Sequence, residues 1–394
     1  MPNTLLTPAT IAKECLAHLT NNMVFGNLVY RDTEKYFGKT PKIGESITIR
    51  KPIKFVATDG ATLSSQDVTE KSTSITIDQR KHVAFTFTSQ ELTMKVEDFS
   101  ERYLKGAMIQ LANAVDSALA GLYIDVPMLA GTPGTTPASF AALTALGKLL
   151  DKNSVPKDGR NLVLGPDAHW SLADAFKGFY HEAITKEVLR DATLGRYAGF
   201  DVFEDQNIKT HVKGLQTGTP LVNGASQTGA SLVTDGWTIS LSPIIKKGDI
   251  FTIAGVYAVN PVSRETQSHL QQFVATADAN SDGAGNCTIP ISPEIITSGA
   301  YQTVSGSPAD NAALTVLAAN HVANMAFRKE AFALAMVPLE VPQSAGWAAT
   351  ESANGLSVRV IRDYNITPDS EIFRADIFYG VKTLYPEQAV RLAG

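Results

Sequence analysis

Cysteine is scarce: the 394 residues include only Cys15 and Cys287. Two thiols cannot staple a chain of this length, so a disulfide framework is excluded and a reduced, cytoplasmic setting is expected. Long apolar runs are lacking too. Nowhere do about 18 apolar residues follow one another, so no membrane span is predicted. The opening M-P-N-T-L-L-T-P-A-T-I-A-K-E-C has neither the basic stretch nor the apolar core of a secretory signal. It predicts a soluble protein without export. Charge of one sign is also in short supply. With 34 basic and 39 acidic side chains the net charge is −5. That excludes a nucleic-acid coat held on by basic residues alone, and a disordered acidic tail. There is no fixed-period repeat and no coiled coil.

What is present is an ordinary globular composition, 44% hydrophobic and 19% charged. The length predicts two or three domains. Thr7 to Asn22 reads as a short amphipathic helix with Pro8 at its first position and Ile11, Cys15 and Leu19 on one face. Ile43 to Thr88 reads as a long β-hairpin with a polar tip. On its return arm Ile75, Ile77, Val83, Phe85 and Phe87 share one parity. Asp98 to Val126 is the clearest helix. Asp98 and Glu101 stand at capping-box spacing, and Leu104, Met108, Leu111, Val115, Leu119 and Leu122 recur every three or four residues. Mixed strand and helix signals follow: Ser139 to Leu150 and Asp167 to Phe176 helical, Asn161 to Gly165 and Asp201 to Glu204 extended.

From Val222 to Asp310 the composition shifts to Gly, Ser, Thr and short alternating runs. Trp237 to Leu241, Ile250 to Ile253, Gln271 to Ala275 and Cys287 to Ile291 are candidate strands of a small barrel or sandwich. Gly255 is expected to break its strand. Mixed α+β character returns afterwards, so the β-rich block reads as an insertion.

Chemical motifs fail on inspection. Gly38-Lys39-Thr40 lacks the Gly five positions earlier that a phosphate loop needs, and Pro41 blocks the following helix. Asp278-Ala-Asn280-Ser-Asp282-Gly283 copies half a calcium loop. Its twelfth position is Ile289 rather than Glu, so an Asn/Asp/Gly turn explains it better. His181-Glu182 lacks the second His of a zinc helix. Glu204-Asp205 is a carboxylate pair whose members point to opposite faces if both are extended. The seven histidines show no ligand spacing. No catalytic, cofactor-binding or metal residue is assigned. Lys39, Lys42, Arg50, Lys51 and Lys54 form a basic run along the first hairpin arm, either a solvated face or a charged contact to another subunit. Arg50, Lys51 and Lys54 are the candidates for that contact.

Four strings carry a family resemblance: G-F-D-V-F-E-D-Q-N-I (199–208), K-K-G-D-I-F-T-I-A-G-V-Y-A-V-N-P (246–261), F-R-K-E-A-F-A-L-A-M-V-P-L-E (327–340) and Y-G-V-K-T-L-Y-P-E-Q-A-V-R-L (379–392). They resemble major capsid proteins of tailed double-stranded DNA bacteriophages, nearest the P-twenty-two-like coat protein branch. The resemblance implies an α+β, Hong Kong 97-like fold with a long spine helix, an extended β-hairpin loop and an inserted small β-barrel. Its parts would be an N-terminal arm (1–40), the extended loop (41–90), spine helix and peripheral domain (91–130), axial domain (131–221), insert (222–310), axial return (311–355) and peripheral C-terminal strands (356–394). It implies a shell of many copies of the chain, built in the host cytoplasm with a scaffolding protein. A portal would occupy one vertex, and double-stranded DNA would be packaged inside and contacted non-specifically. No cofactor and no membrane are implied. An encapsulin-type compartment shares the fold. A reading from another class is a β-rich binding or adhesion module beside a small enzyme domain.

Overall fold

A computed structural model describes residues 8–31, 46–57, 60, 65–88, 103–176, 195–317, 319–342, 347–366 and 370–394. Gly38-Lys39-Thr40, Lys39 and Lys42 of the basic run, the Asp98/Glu101 capping pair and His181-Glu182 lie outside these residues.

Along the chain, helix α1 (Pro8–Asn22) buries Ile11, Cys15 and Leu19 as their spacing requires, and α2 (Phe25–Leu28) follows. Strand β1 (Ser46–Arg50) pairs with β2 (Ser72–Thr76) in a five-residue antiparallel ladder. The long hairpin expected over Ile43 to Thr88 stops there. β3 (Gln79–Thr88) leaves the return arm and takes another partner. The alternation is real, but it serves two sheets.

Helix α3 (Lys105–Ala120) buries Met108, Leu111, Val115 and Leu119. At Gly121 it tightens into a 3₁₀ turn, Gly121–Asp125. With three residues per turn instead of 3.6, the inward position passes from Leu122 to Tyr123, which is buried. Lys105–Asp125 is long and apolar enough to cross a membrane by length and composition, although no such segment is expected from the sequence. Half of it is buried inside the fold, as in a core helix.

Next come β4 (Leu129–Ala130), α4 (Phe140–Lys152), β5 (Arg160–Leu164) and α5 (Pro166–Phe176), then β6 (Arg196–Tyr197), β7 (Phe200–Glu204) and β8 (Thr210–His211). Six strands follow: β9 (Gly218–Val222), β10 (Gly229–Trp237), β11 (Ile250–Val259), β12 (Thr266–Ala275), β13 (Cys287–Ile295) and β14 (Leu314–Val316). The chain ends with β15 (His321–Arg328), β16 (Phe332–Met336), β17 (Trp347–Ala353), β18 (Leu356–Asn365), β19 (Ser370–Thr383) and β20 (Ala389–Ala393).

These elements divide into two compact units. The first holds residues 1–50, 72–120 and 332–384. Its sheet runs β16-β19-β18-β17, with β3 also on β19. Ser370 to Tyr379 meet Thr88 to Gln79 in register, which stacks Phe85 on Phe373 with ring centroids 5.0 Å apart. The Asp116 carboxylate of α3 accepts from the Val24 and Gly26 amides at 2.6 and 2.9 Å, satisfying donors at the start of α2.

The second unit holds residues 51–71, 121–331 and 385–394. Among the described residues, seven strands make one of its sheets: β4-β20-β15-β5-β7-β6, with β8 also on β15. Leu143, Leu146 and Leu150 of α4 and Leu172 of α5 pack on it with Leu162, Leu164, Phe200 and Val390.

The other six strands, in the order β14-β11-β12-β13-β10-β9, close on themselves through a Leu221–Ala313 bridge, and Val222 N–H donates to Ala312 at 3.0 Å. The result is a small barrel filled by Trp237, Phe251, Ile253, Phe273, Ile289 and Ile291. It is wider than the expected block of Val222 to Asp310, because closure needs β9 and β14. Two strand expectations are corrected. The strand near Trp237 precedes that residue instead of following it. Gly255 does not end β11. It sits at φ +80°, where the β11–β12 register shifts between Thr252 and Tyr257, so three extra residues of β11 are absorbed as an irregularity and the strand continues to Val259.

Candidate functional site

Of the two most specific strings, residues 246–261 and residues 385–392 of the last meet in the second unit, where the barrel sits on the seven-stranded sheet. Arg391 on β20 is fully buried. Its Nη1 donates to the Gly248 carbonyl at 2.8 Å and its Nη2 to the Ile124 carbonyl at 3.2 Å. The guanidinium lies 5.2 Å from the Tyr123 ring centroid. Burial pulls Arg391 down to about 9, against the opposing influence of Tyr123, Asp125 and Asp249. Gly248 has φ +93°, and a Cβ there would stand 3.1 Å from both His211 and Ile124. The tight turn therefore needs glycine twice over, for its backbone and for its space.

One residue on, Asp249 anchors the barrel's entry. Oδ1 accepts from His211 Nε2 at 2.8 Å. Oδ2 accepts from the Lys246 and Gly214 amides at 2.8 and 3.0 Å. Burial alone would raise this carboxyl, but the donors of His211, Lys246, Gln216 and Gly214 together outweigh it and hold Asp249 below its ordinary value. The Tyr123 hydroxyl meets His211 Nδ1 at 3.2 Å. The Asp249 carboxylate fixes His211 Nε2 as a donor, and the Tyr123 hydroxyl closes the Nδ1 side. Burial raises the Tyr123 phenol. His321 stands directly opposite His211 in the β8–β15 ladder, with ring centroids 5.3 Å apart.

Further polar clasps hold the same junction. The Gln272 side-chain amide copies a strand partner, accepting from Leu129 N–H at 2.9 Å and donating to Leu129 O at 3.1 Å. Asn260, of the terminal Asn-Pro pair, caps its own turn through Val262 N–H at 2.8 Å. Its amide also donates to Lys152 O at 3.2 Å, and Gln267 donates to the same carbonyl at 2.7 Å. Leu129, Ile250, Val274 and Ala393 form a small apolar core beneath.

A Tyr-His-Asp relay can move protons in principle, yet here each member is buried and faces protein atoms. The arrangement fastens; it offers no open face to a substrate. The sequence signal for it is the pair of strings that carry the family resemblance, not the histidines, because His211 and His321 are distant in sequence and only strand pairing unites them. The rejected calcium loop is likewise internally satisfied. Asp282 accepts from the Ala284 and Asn286 amides at 2.8 Å, Asp278 from Lys247 N–H at 2.7 Å, and Asn280 from Ser242 Oγ at 2.9 Å. Asp205 of the carboxylate pair is buried on Asn207, whereas Glu204 is exposed. Among the described residues no group of three His, Cys, Asp or Glu side chains is placed to hold a metal ion.

Of the candidate contact residues, Arg50 is exposed at the end of β1 in the first unit. Lys51 and Lys54 belong to the second. Lys51 N–H donates to Lys71 O at 2.8 Å, and its half-buried ammonium lies 5.1 Å from the Tyr385 ring centroid. Burial pulls Lys51 down, against Glu387. Exposed Lys54 lies 5.9 Å from the Tyr301 ring, with Lys71 5.0 Å from the same ring and 3.4 Å from Glu294. The Tyr301 hydroxyl donates to Thr69 O at 2.8 Å.

Solved structures similar to this chain include those titled "Mycobacterium phage Che8" (15% identity, TM-score 0.47, covering 94% of this chain and 90% of that one) and "Capsid of Ralstonia phage GP4" (8% identity, TM-score 0.47, 93% and 86%). A third, "CUS-3 coat protein I-domain", is 25% identical over 25% of this chain and 96% of its own, with TM-score 0.19. No curated protein gives a match. A model of the family described as "P22 coat protein - gene protein 5" matches residues 8–394. One family thus accounts for the barrel and everything around it, which disfavours both the encapsulin reading and the adhesion module joined to an enzyme: the chain belongs to the P22 coat protein family and is a structural capsid protein.

Proposed function

We propose that many copies of this chain self-assemble into the icosahedral shell of a tailed bacteriophage, with a Hong Kong 97-like subunit and double-stranded DNA packaged inside. The observation that carries this reading is the family match over residues 8–394, barrel included. Assembly would take place in the host cytoplasm with a scaffolding protein, and a portal would fill one vertex. DNA contact would be non-specific, in keeping with a net charge of −5. The subunit would carry no catalytic role.

In this reading residues 1–40 form an N-terminal arm, 41–90 the extended loop and 91–130 the spine helix with part of the peripheral domain. The barrel is the insert, and its buried clasp steadies the subunit. Arg50, Lys51 and Lys54 would touch a neighbouring copy. The cation–π contact that exposed Lys54 makes within its own chain is worth roughly 0.5–1 kcal/mol, small enough to be exchanged for a contact across a subunit boundary.

The test is velocity sedimentation of the expressed chain, with and without a scaffolding partner. Megadalton particles are expected. A stable monomer under every condition, with measurable catalytic turnover, contradicts the reading.

A further inference from the structure

The cross-strand histidine pair has a property that fastening alone does not require. His321 is buried, and its Nδ1 lies 3.1 Å from the Ala319 carbonyl. Its Nε2 is buried without a hydrogen-bond partner. A neutral imidazole donating from Nδ1 leaves Nε2 as an unused acceptor, at modest cost. A protonated ring would bury an N–H donor with nowhere to point it.

The surroundings make that proton worse. From β8, His211 faces His321, with Nδ1 already engaged by Tyr123 and Nε2 by Asp249. From β20 comes the Arg391 cation. From the 3₁₀ turn come Tyr123 and Asp125, the latter 3.8 Å from Lys247. From the barrel's entry comes Asp249, with both oxygens occupied. Arg391 and Asp249 are the charges nearest His321, and Asp249 is turned to His211 and the Lys246 and Gly214 amides. A proton on His321 finds no carboxylate of its own and adds a second cation beside Arg391.

We propose that the His211–His321 pair makes the barrel's seat an acid-operated release: protonation of His321 loosens the contacts of residues 210–216 and 246–249, while the barrel strands stay folded. The direction follows from proton linkage. Burial first, then His211 and Arg391, hold His321 below the ordinary imidazole value. The opened seat therefore takes up the proton more readily than the closed one. Closure is fully stable above about pH 6.5 and weakens as pH falls below it, by about tenfold per pH unit for one proton, until the closed form also protonates.

The experiment is amide hydrogen exchange on the full, unassembled chain between pH 8 and pH 5, corrected for the intrinsic pH dependence of exchange, in the natural protein and in His321→Gln. The Gly214 and Lys246 amides should lose protection about tenfold per pH unit below about 6.5 in the natural protein. They should be flat in the variant, with Phe251 and Val274 unchanged in both. A flat natural profile, an equal slope in the variant, or parallel loss in the barrel strands overturns the proposal. Should His321→Gln fail to fold, the NMR titration of His321 in the natural protein decides. A midpoint below 6.5 that tracks the loss of protection supports the release, and a midpoint at or above 6.5 overturns it.

Discussion

Arg391, three residues before Gly394, donates to the carbonyl of Gly248 at 2.8 Å. That bond joins β20 of the seven-stranded sheet to the turn that opens β11 of the barrel. Removing the side chain takes its donors away from the Gly248 and Ile124 carbonyls and leaves a cavity at a fully buried position. Arg391→Ala should lower subunit stability by about 2–5 kcal/mol, the range for truncating a large buried side chain. Arg391→Met, which refills the volume, should cost less. Urea unfolding of the unassembled subunit checks both, and an alanine variant within about 0.5 kcal/mol of the natural protein, the usual range for a neutral surface change, contradicts the clasp.

Gly248 and Gly255 offer a matched pair. Both have positive φ, but a Cβ at Gly248 meets His211 and Ile124 at 3.1 Å, whereas at Gly255 it meets open space. Gly255→Ala should cost about 1 kcal/mol of backbone strain, and Gly248→Ala clearly more. Thermal unfolding of the two variants side by side gives the order, and equal costs would show that the crowding at Gly248 is relieved without penalty.

In the first unit, Arg359 and Asp376 are cross-strand partners joined at 2.7 Å, and Arg374 adds a second donor. Burial of Asp376 opposes ionisation, but the two arginines prevail and hold its carboxyl below the ordinary value of about 3.9. A depressed carboxyl contributes stability that is complete above the unfolded value and is lost as pH falls through the folded one. Asp376→Asn should therefore destabilise the subunit at pH 7 and flatten its stability curve below about pH 4. A variant that loses stability in acid as steeply as the natural protein would place the acid-labile group elsewhere.

The barrel should fold alone if its boundaries are those of its hydrogen bonds. A fragment spanning Gly218 to Val316 includes Val222, Leu314 and the closing bridge. It should give dispersed β-type amide shifts and cooperative unfolding. A fragment from Val222 to Asp310, which loses β14 and most of β9, should not. Identical spectra from the two would mean that closure is dispensable.

Much of this was legible in the sequence, for reasons that can be traced. Periodicity placed α1, α3, α4 and α5, because one buried face is a local property. Alternation placed β3, β11 and β13 but not their partners. Nothing local says that Phe85 pairs with Phe373 rather than with the first hairpin arm. Barrel closure by β9 and β14 was missed because both strands are short and half exposed. The junction was missed because its members, Tyr123, His211, Asp249, His321 and Arg391, are spread over five elements. Lys-Lys-Gly-Asp (246–249) is locally only a polar, glycine-containing stretch, and the crowding that makes position 248 glycine comes from His211 and Ile124, far away in sequence.

Reversing Lys51 and Lys54 to Glu tests the loop in the assembled state. The pair should weaken assembly while the unassembled subunit stays folded, each contact being worth about 0–1 kcal/mol and repeated over every subunit. Normal shells from the double variant at low salt would return this face to solvent.

Electron microscopy of the purified, expressed protein shows whether this chain builds a capsid. Closed, roughly spherical shells of one size class, built from this chain, are expected. A monodisperse small oligomer that never forms shells, with or without a scaffolding partner, would contradict the proposed assembly.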